Sequence, residues 1–241
     1  MVHALVPLKD LVGAKTRLAG ILSPSERRAL AQAMVEDVLA QLTAHPMISA
    51  VTLLSDDPGA GLLAGKYNIE LLDERSLGCT GLNAVLNRAC EQIISTGAEQ
   101  LVVLHGDLPL LSSTDLDDVV ALLNRGYELV LGCDRHRLGT NLLAFPASCL
   151  PEFAFGLASC ARHRAEAVVA GRLWKLLKRP GIGLDVDEPA DLELLMSQLQ
   201  KGATGLTVDL LLKGELKTRI DAVMMSMEQG RLNTALNDKV L

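Results

Sequence analysis

Aromatic side chains are nearly missing from this chain: one Trp, two Tyr and three Phe in 241 residues. Its core must therefore be built from Leu, Val, Ile, Ala and Met, and with 49% hydrophobic residues there is ample material for one. A cationic excess is missing too. The formal net charge is −6, which argues against a general nucleic-acid binder, because a phosphate backbone calls for a basic footprint. Any phosphate recognition should be local. No apolar run approaches the length of a membrane helix, and the stretch after Met1 lacks the apolar region of a signal peptide. Five cysteines (Cys79, Cys90, Cys133, Cys149 and Cys160) never form a CxxC pair. Their scatter and odd number predict reduced thiols in a cytoplasm, not a disulfide frame or a zinc site. GxxxxGK(S/T) is absent, excluding a P-loop, and without GxGxxG a dinucleotide fold has no support.

What is present alternates between strand and helix. Ala4-Leu5-Val6, Ile48 to Leu54, Ile69 to Leu72, Leu101 to Leu104, Leu129 to Leu131, Leu142 to Phe145 and Ile182 to Leu184 read as short apolar strands. Ser23-Pro24-Ser25-Glu26 carries a helix N-cap, a first-turn proline and a capping-box glutamate. Leu30, Met34, Val38 and Leu42 then mark one apolar face, ended by His45-Pro46. Further helices are expected after Gly59, over Leu82 to Ile94, from a Thr114 cap to Asn124, over Ala161 to Ala170, and from Asp187-Glu188-Pro189 to about Gln200. This order predicts an α/β fold with a mainly parallel sheet covered on both faces. Lys201 to Gly205 reads as a linker. Residues 201–241 read as an extension, outside a domain of residues 1–200, that packs on the core or on another subunit and so leaves a homo-oligomer open.

The chemistry gathers where strands end. Val6-Pro7-Leu8-Lys9 runs from the first strand into a loop bearing Lys9, Lys15 and Arg17, three cations suited to a polyphosphate, although a solvated basic turn reads the same way. Asp107, after the fourth strand, is placed to hold Mg²⁺ or to close a turn on backbone amides. Asp185 and Asp187 form a second acidic pair, facing one way from an extended backbone, with helix capping as the alternative for Asp187. Gly78 to Gly81 before Asn83 suits close approach of a nucleotide. Asp134 to Asn141 suits an anionic second substrate or an ordinary polar hairpin. His163 reads as a contact or surface residue, since nothing pairs it with a nucleophile.

Taken in order, several motifs resemble the guanylyltransferases of coenzyme F420 biosynthesis, within a wider class similar to molybdenum-cofactor nucleotidyltransferases. They are Val6-Pro7-Leu8-Lys9 with Ala14-Lys15-Thr16-Arg17, Gly81-Leu82-Asn83, Gly106-Asp107-Leu108-Pro109, Gly139-Thr140-Asn141, Phe155-Gly156 to Ser159 with His163, and Leu184-Asp185-Val186-Asp187. The resemblance implies a three-layer, Rossmann-like nucleotidyltransferase fold. It also implies a reaction in which GTP and a small phosphorylated acid (2-phospho-L-lactate, phosphoenolpyruvate or 3-phospho-D-glycerate) give a guanosine-diphospho-linked acid and pyrophosphate. By the same resemblance, Lys15, Asp107 and Asp187 are catalytic, and Asp107, Asp185 and Asp187 hold Mg²⁺. Val6, Pro7, Leu8, Lys9, Lys15, Arg17, Gly81 and Asn83 bind the nucleotide, and Thr140, Gly156 and Ser159 the acceptor. Nucleic acid and membranes are not expected partners.

The chain departs from the family pattern at Gly106, where Ala is usual, and at Cys79-Thr80, where glycine is richer. Leu157-Ala158-Ser159-Cys160 stands where Gly-Pro-Gly-Ser-Phe is expected, which leaves room for an atypical acceptor. Two rival readings are a sugar-phosphate or molybdopterin transferase of the same fold, disfavoured by a first loop containing only Gly13, and a non-catalytic nucleotide-binding protein.

Overall fold

A computed structural model describes residues 1–226 except 12, 200–203, 213–215 and 224. Seven strands form one sheet: β1 (Val2–Pro7), β2 (Ile48–Leu54), β3 (Glu70–Leu72), β4 (Gln100–Leu104), β5 (Leu129–Cys133), β6 (Thr140–Pro146) and β7 (Trp174–Leu177). Their order is β3-β2-β1-β4-β6-β5-β7, and every pairing is parallel except those that β6 makes with β4 and β5. The strands other than β6 therefore point their carboxyl ends to one edge, where open α/β sheets receive ligands.

Helices cover both faces: α1 (Pro24–Ala44), α2 (Ala60–Tyr67), α3 (Leu82–Ser95), α4 (Ser113–Asn124), α5 (Ser159–Val169), a single turn α6 (Pro180–Gly183), α7 (Pro189–Leu199) and α8 (Leu206–Leu212). The α1 start is as the sequence reads: the Ser23 side chain accepts from the Glu26 amide while Glu26 reaches back to the Ser23 N–H at 2.8 Å. In α4 the cap is Ser112, not Thr114, because Asp115 completes a capping box with Ser112. Alternating strand residues divide the core: Ala4, Val6, Val102 and Leu104 pack under α1 and α4, and Leu5, Leu101 and Val103 under α3 and α5.

Two local expectations fail. The segment from Ile182 to Leu184 is not a strand. Pro180 starts the turn of α6, and a Cβ on Gly181 would lie 2.4 Å from the Leu110 carbonyl, so the segment is held tightly against α4 rather than laid along the sheet. The edge position belongs instead to β7, whose four residues carry too little alternation to announce a strand. The cysteines are not all reduced thiols either: Cys133 and Cys160 are joined in a disulfide, while Cys79, Cys90 and Cys149 are free. Residues 27 apart in sequence meet because β5 ends where α5 begins, a proximity that spacing alone does not reveal.

A third apolar cluster joins α1, α7 and α8 through Leu30, Met34, Leu195, Val208 and Leu211. Asp37 of α1 accepts the amides of Leu206 (2.7 Å) and Thr207 (2.9 Å), so the start of α8 is anchored on the core. The expected linker residues Lys201 to Ala203, and the chain beyond residue 226, lie outside the described residues. Among the described residues no helix is long and apolar enough to cross a membrane.

Candidate active site

At the carboxyl edge, β1 and β4 stop side by side, and the loops that follow them meet. Lys15 has left-handed backbone angles (φ 55°), an uncommon state for a residue with a side chain. That twist turns its ammonium inward, where Nζ donates to Asp107 Oδ2 at 2.6 Å and to Asp187 Oδ1 at 2.7 Å. The Lys15 side chain is only 8% exposed. Burial alone would lower its pKa, but the charges of Asp107 and Asp187 and their hydrogen bonds outweigh burial and hold it above the usual lysine value. Asp107 shows the mirror image: burial favours its neutral form, yet Lys15, His105 and its hydrogen bonds keep it below the usual carboxylate value.

Asp107 Oδ1 is buried without a hydrogen-bond partner among the described residues. Asp185 accepts from Asn141 Nδ2 at 3.1 Å, and its pKa is raised first by burial and then by the charge of Asp107, with Asp187 adding to it. Three carboxylates thus share one neighbourhood with one buried lysine. Among the described residues no three His, Cys, Asp or Glu side chains form a ready-made metal cage. The donor set still fits Mg²⁺, a hard cation that takes oxygen ligands: Asp107 offers an unused oxygen, and a second positive charge would relieve the repulsion felt by Asp185. Asp187 does not cap α7. Instead Asp191 accepts the N–H groups of Asp187 (3.1 Å) and Glu188 (2.8 Å), which orients Asp187 toward Lys15.

Beside this cluster lies a cavity of about 410 Å³ with Pro7, Leu8, Lys9, Lys15, Asp107 and Asp187 on its wall. These six expected residues are brought together. Val6 is buried beneath them; Arg17 is not on the wall but exposed and paired with Glu188 at 2.8 Å. Gly81 (φ 89°) is the residue from which α3 starts, and Leu82, not Gly81 or Asn83, is on the cavity wall. Asn83 has a different engagement: its Oδ1 accepts the Phe155 N–H at 2.8 Å and its Nδ2 donates to the Phe155 carbonyl at 3.2 Å. It therefore fastens the loop containing Gly156 to the first turn of α3.

The expected acceptor residues also converge. Thr140 opens β6, Gly156 (φ 114°) precedes α5, and Ser159 is the first residue of α5, its N–H donating to the Gly156 carbonyl at 3.1 Å. Both hydroxyl residues are buried. Two histidines connect these groups: His163, read from the sequence as a contact or surface residue, and His105, to which the sequence reading gave no role. His163 is buried rather than on the surface; its Nε2 accepts the Ala154 N–H at 2.8 Å, so Nδ1 carries the proton and donates to Thr140 Oγ1 at 2.9 Å. Burial and then Arg162 push its pKa down to about 4. His105 packs against Phe155 at 5.3 Å between centroids, and its buried Nε2 has no partner among the described residues. A histidine two positions before Asp107 was the available signal for the second. The Asp134–Gly139 segment is a polar hairpin, closed by Asp134 Oδ1 and Oδ2 accepting the N–H groups of Leu138 and Gly139.

Comparison with known proteins places the whole chain in a family. Residues 2–236 match the family described as guanylyl transferase CofC like. The chain is 40% identical over 198 residues to a phosphoenolpyruvate guanylyltransferase of Conexibacter woesei, covering 80% of this chain and 86% of that one. It is 37% identical to one of Sphaerobacter thermophilus (83% and 95% covered) and 32% identical to a 3-phospho-D-glycerate guanylyltransferase of Phenylobacterium zucineum (79% and 88% covered). Among solved structures, a nucleotide-diphospho-sugar transferase of Desulfovibrio desulfuricans superposes with a TM-score of 0.78 at 17% identity, over 92% of this chain and 97% of that one. CMP:2-keto-3-deoxy-manno-octonic acid synthetase superposes at 0.57 with 13% identity, over 84% and 99%. The fold is thus the three-layer, Rossmann-like nucleotidyltransferase fold with a mainly parallel sheet, and the chain belongs to the CofC-like guanylyl transferase family.

Proposed function

We propose that this enzyme transfers GMP from GTP to phosphoenolpyruvate, releasing pyrophosphate, in coenzyme F420 biosynthesis. The observation that carries the reading is the Lys15–Asp107–Asp187 cluster on the wall of a cavity at the carboxyl edge of β1 and β4. The acceptor is chosen because several relatives at 33–40% identity bear that substrate in their names, with 3-phospho-D-glycerate as the alternative.

In this reading a phosphate oxygen of the acceptor attacks the α-phosphorus of GTP in line, and the bond to the departing pyrophosphate breaks. Lys9 and Lys15 neutralise the triphosphate, while Arg17, released from Glu188, closes on its outer end. Asp107 with Asp185 or Asp187 would hold Mg²⁺, which when bound supplies charge compensation and orientation to the phosphates. Thr140 donates its hydroxyl proton to the acceptor because His163 already occupies its acceptor side, and Ser159 and the Gly156 backbone complete the acid pocket. Phe155, gripped by Asn83 and packed on His105, sets the spacing between nucleotide and acceptor. No covalent intermediate on the protein is required.

The invoked side chains lie within residues 1–200, which we read as the transferase domain of a cytoplasmic enzyme, with 201–241 as an extension. The test is product identification. With Mg²⁺, GTP and each of phosphoenolpyruvate, 3-phosphoglycerate and phospholactate, ³¹P NMR should show a new diphosphate ester and pyrophosphate with phosphoenolpyruvate. Turnover of a sugar phosphate with none of the three acids would replace this reading.

A further inference from the structure

Cys133 and Cys160 bracket the groups that the functional reading assigns to the acceptor. Cys133 closes β5 and pairs with Thr140 in the β5–β6 ladder, at a shift of register beside Gly132. Cys160 directly follows Ser159 in the first turn of α5. Their disulfide therefore ties the strand end facing one acceptor hydroxyl to the helix start bearing the other. Two weaker ties run alongside it: the Cys160 N–H donates to the Leu138 carbonyl at 3.1 Å, and His163 donates to Thr140 at 2.9 Å.

A second, independent feature touches the same strand end. Cys133 is on the wall of a separate cavity of about 390 Å³ between the β5–β6 hairpin, α6 and α7. Arg135, Arg137, Lys178 and Arg179 stand on that wall, with Asp134 the one acidic residue there, its oxygens accepting the N–H groups of Leu138 and Gly139. Arg135 and Arg179 are committed to Asp191 and Asp118, whereas Arg137 and Lys178 have no acidic partner among the described residues. In a chain of net charge −6 this is a local positive funnel, and its floor is leucine. Both cysteines are only 7% exposed, so a thiol needs a narrow approach, and the cavity offers one beside Cys133.

We propose that Cys133–Cys160 is a reversible dithiol–disulfide pair, reached by an anionic low-molecular-weight thiol through this basic cavity, and that its redox state sets affinity for the acid substrate. The second half rests on the functional reading above. A thiolate attacks Cys133 Sγ, the Cys133–Cys160 bond breaks, and Cys160 leaves as a thiolate that takes a proton. A second thiolate attacks the sulfur of the small thiol in the mixed disulfide and frees Cys133. Two electrons pass from two small thiols to the protein, and one small disulfide is produced. In a reducing cytoplasm disulfides are usually of this transient kind. The oxidised form presents Thr140 and Ser159 in a fixed relation; the reduced form leaves the two weaker ties to do so, and acid binding must then restore part of the order.

The test equilibrates the full-length enzyme in glutathione buffers of increasing oxidised fraction, counts free thiols by alkylation and mass spectrometry, and measures KM for acid and GTP at each point. Two thiols should appear and disappear together. On reduction the acid KM should rise about three- to tenfold, the order expected from releasing one or two ordered groups. The KM for GTP should stay unchanged. Cys160→Ser should show the reduced-form acid KM in every buffer. With Arg137→Glu and Lys178→Glu combined, reduction by glutathione should slow several-fold while reduction by uncharged dithiothreitol keeps its rate. Thiols that never pair under oxidising glutathione, or an acid KM indifferent to a pair that does form, would overturn the proposal. Equal reduction rates in the charge-reversed enzyme would overturn the route of access. Absence of guanylyl transfer in both redox states would instead defeat the functional reading, and the alkylation count would still decide the thiol exchange.

Discussion

Thr140 Oγ1 and His163 Nδ1 lie 2.9 Å apart in the interior, and the proton between them belongs to the imidazole, because His163 Nε2 is already accepting from Ala154. The threonine hydroxyl is thereby left with its own proton to give. A buried neutral histidine of this kind acts as a spacer that aims a hydroxyl.

That pairing makes acid stability testable. The His163 pKa is pushed to about 4 in the folded protein by burial and then by Arg162, against an ordinary value of 6.5. Between those values the unfolded chain binds more protons than the native one, so stability rises with pH across the window and is lost as pH falls through it. Urea midpoints measured from pH 7 to pH 4 should fall less steeply for His163→Gln than for the parent. Parallel curves would show that the ring carries no such linkage.

Thr140→Ala removes the aimed hydroxyl and leaves the nucleotide cavity intact. The acid KM should rise about tenfold, the worth of one hydrogen bond lost from a buried site, with KM for GTP unchanged. A selective loss of GTP affinity would refute the assignment of Thr140 to the acceptor.

Lys15→Ala takes away the cation that Asp107 and Asp187 share. If Lys15 neutralises charge in the transition state, kcat should fall by about 10²- to 10³-fold. Circular dichroism should confirm that the variant is folded. A loss of only a few-fold would reduce Lys15 to a structural counter-ion.

The family resemblance leads to an expectation of alanine at position 106, and packing accounts for the glycine found there. A Cβ there would meet Val35 Cγ2 at 2.9 Å and the Val6 side chain at 3.6 Å. Gly106→Ala should destabilise by about 1–3 kcal/mol through overpacking, and adding Val35→Ala should restore part of that loss. Unequal thermal shifts with no rescue would place the strain elsewhere.

Much of this was readable in the chain, and the failures have physical causes. β1, β2 and β4 are mostly apolar runs ending in turn formers, and α1 is marked by a capping box, so local chemistry and tertiary role agree. Asp107 and Lys15 follow strand ends and were legible from position, whereas Asp185 and Asp187 follow α6 and not the strand expected before them. The bonding of Lys15 to Asp107 and Asp187 was not legible, since it joins residues 92 and 172 positions apart. β7 went unread because four residues set no periodicity, and the Ile182–Leu184 segment was read as a strand because tertiary packing of Gly181 decides the turn. The disulfide and the His163–Thr140 bond depend on where α5 docks, which no spacing encodes.

The most direct test of the central claim is pyrophosphate release with Mg²⁺, GTP and phosphoenolpyruvate, run in parallel for the parent enzyme and Asp107→Asn. The account predicts steady, acceptor-dependent release by the parent and none by the variant, because Asp107 offers both the contact to Lys15 and the unpartnered oxygen for Mg²⁺. Equal release by the two proteins would contradict it and place the chemistry away from this carboxylate.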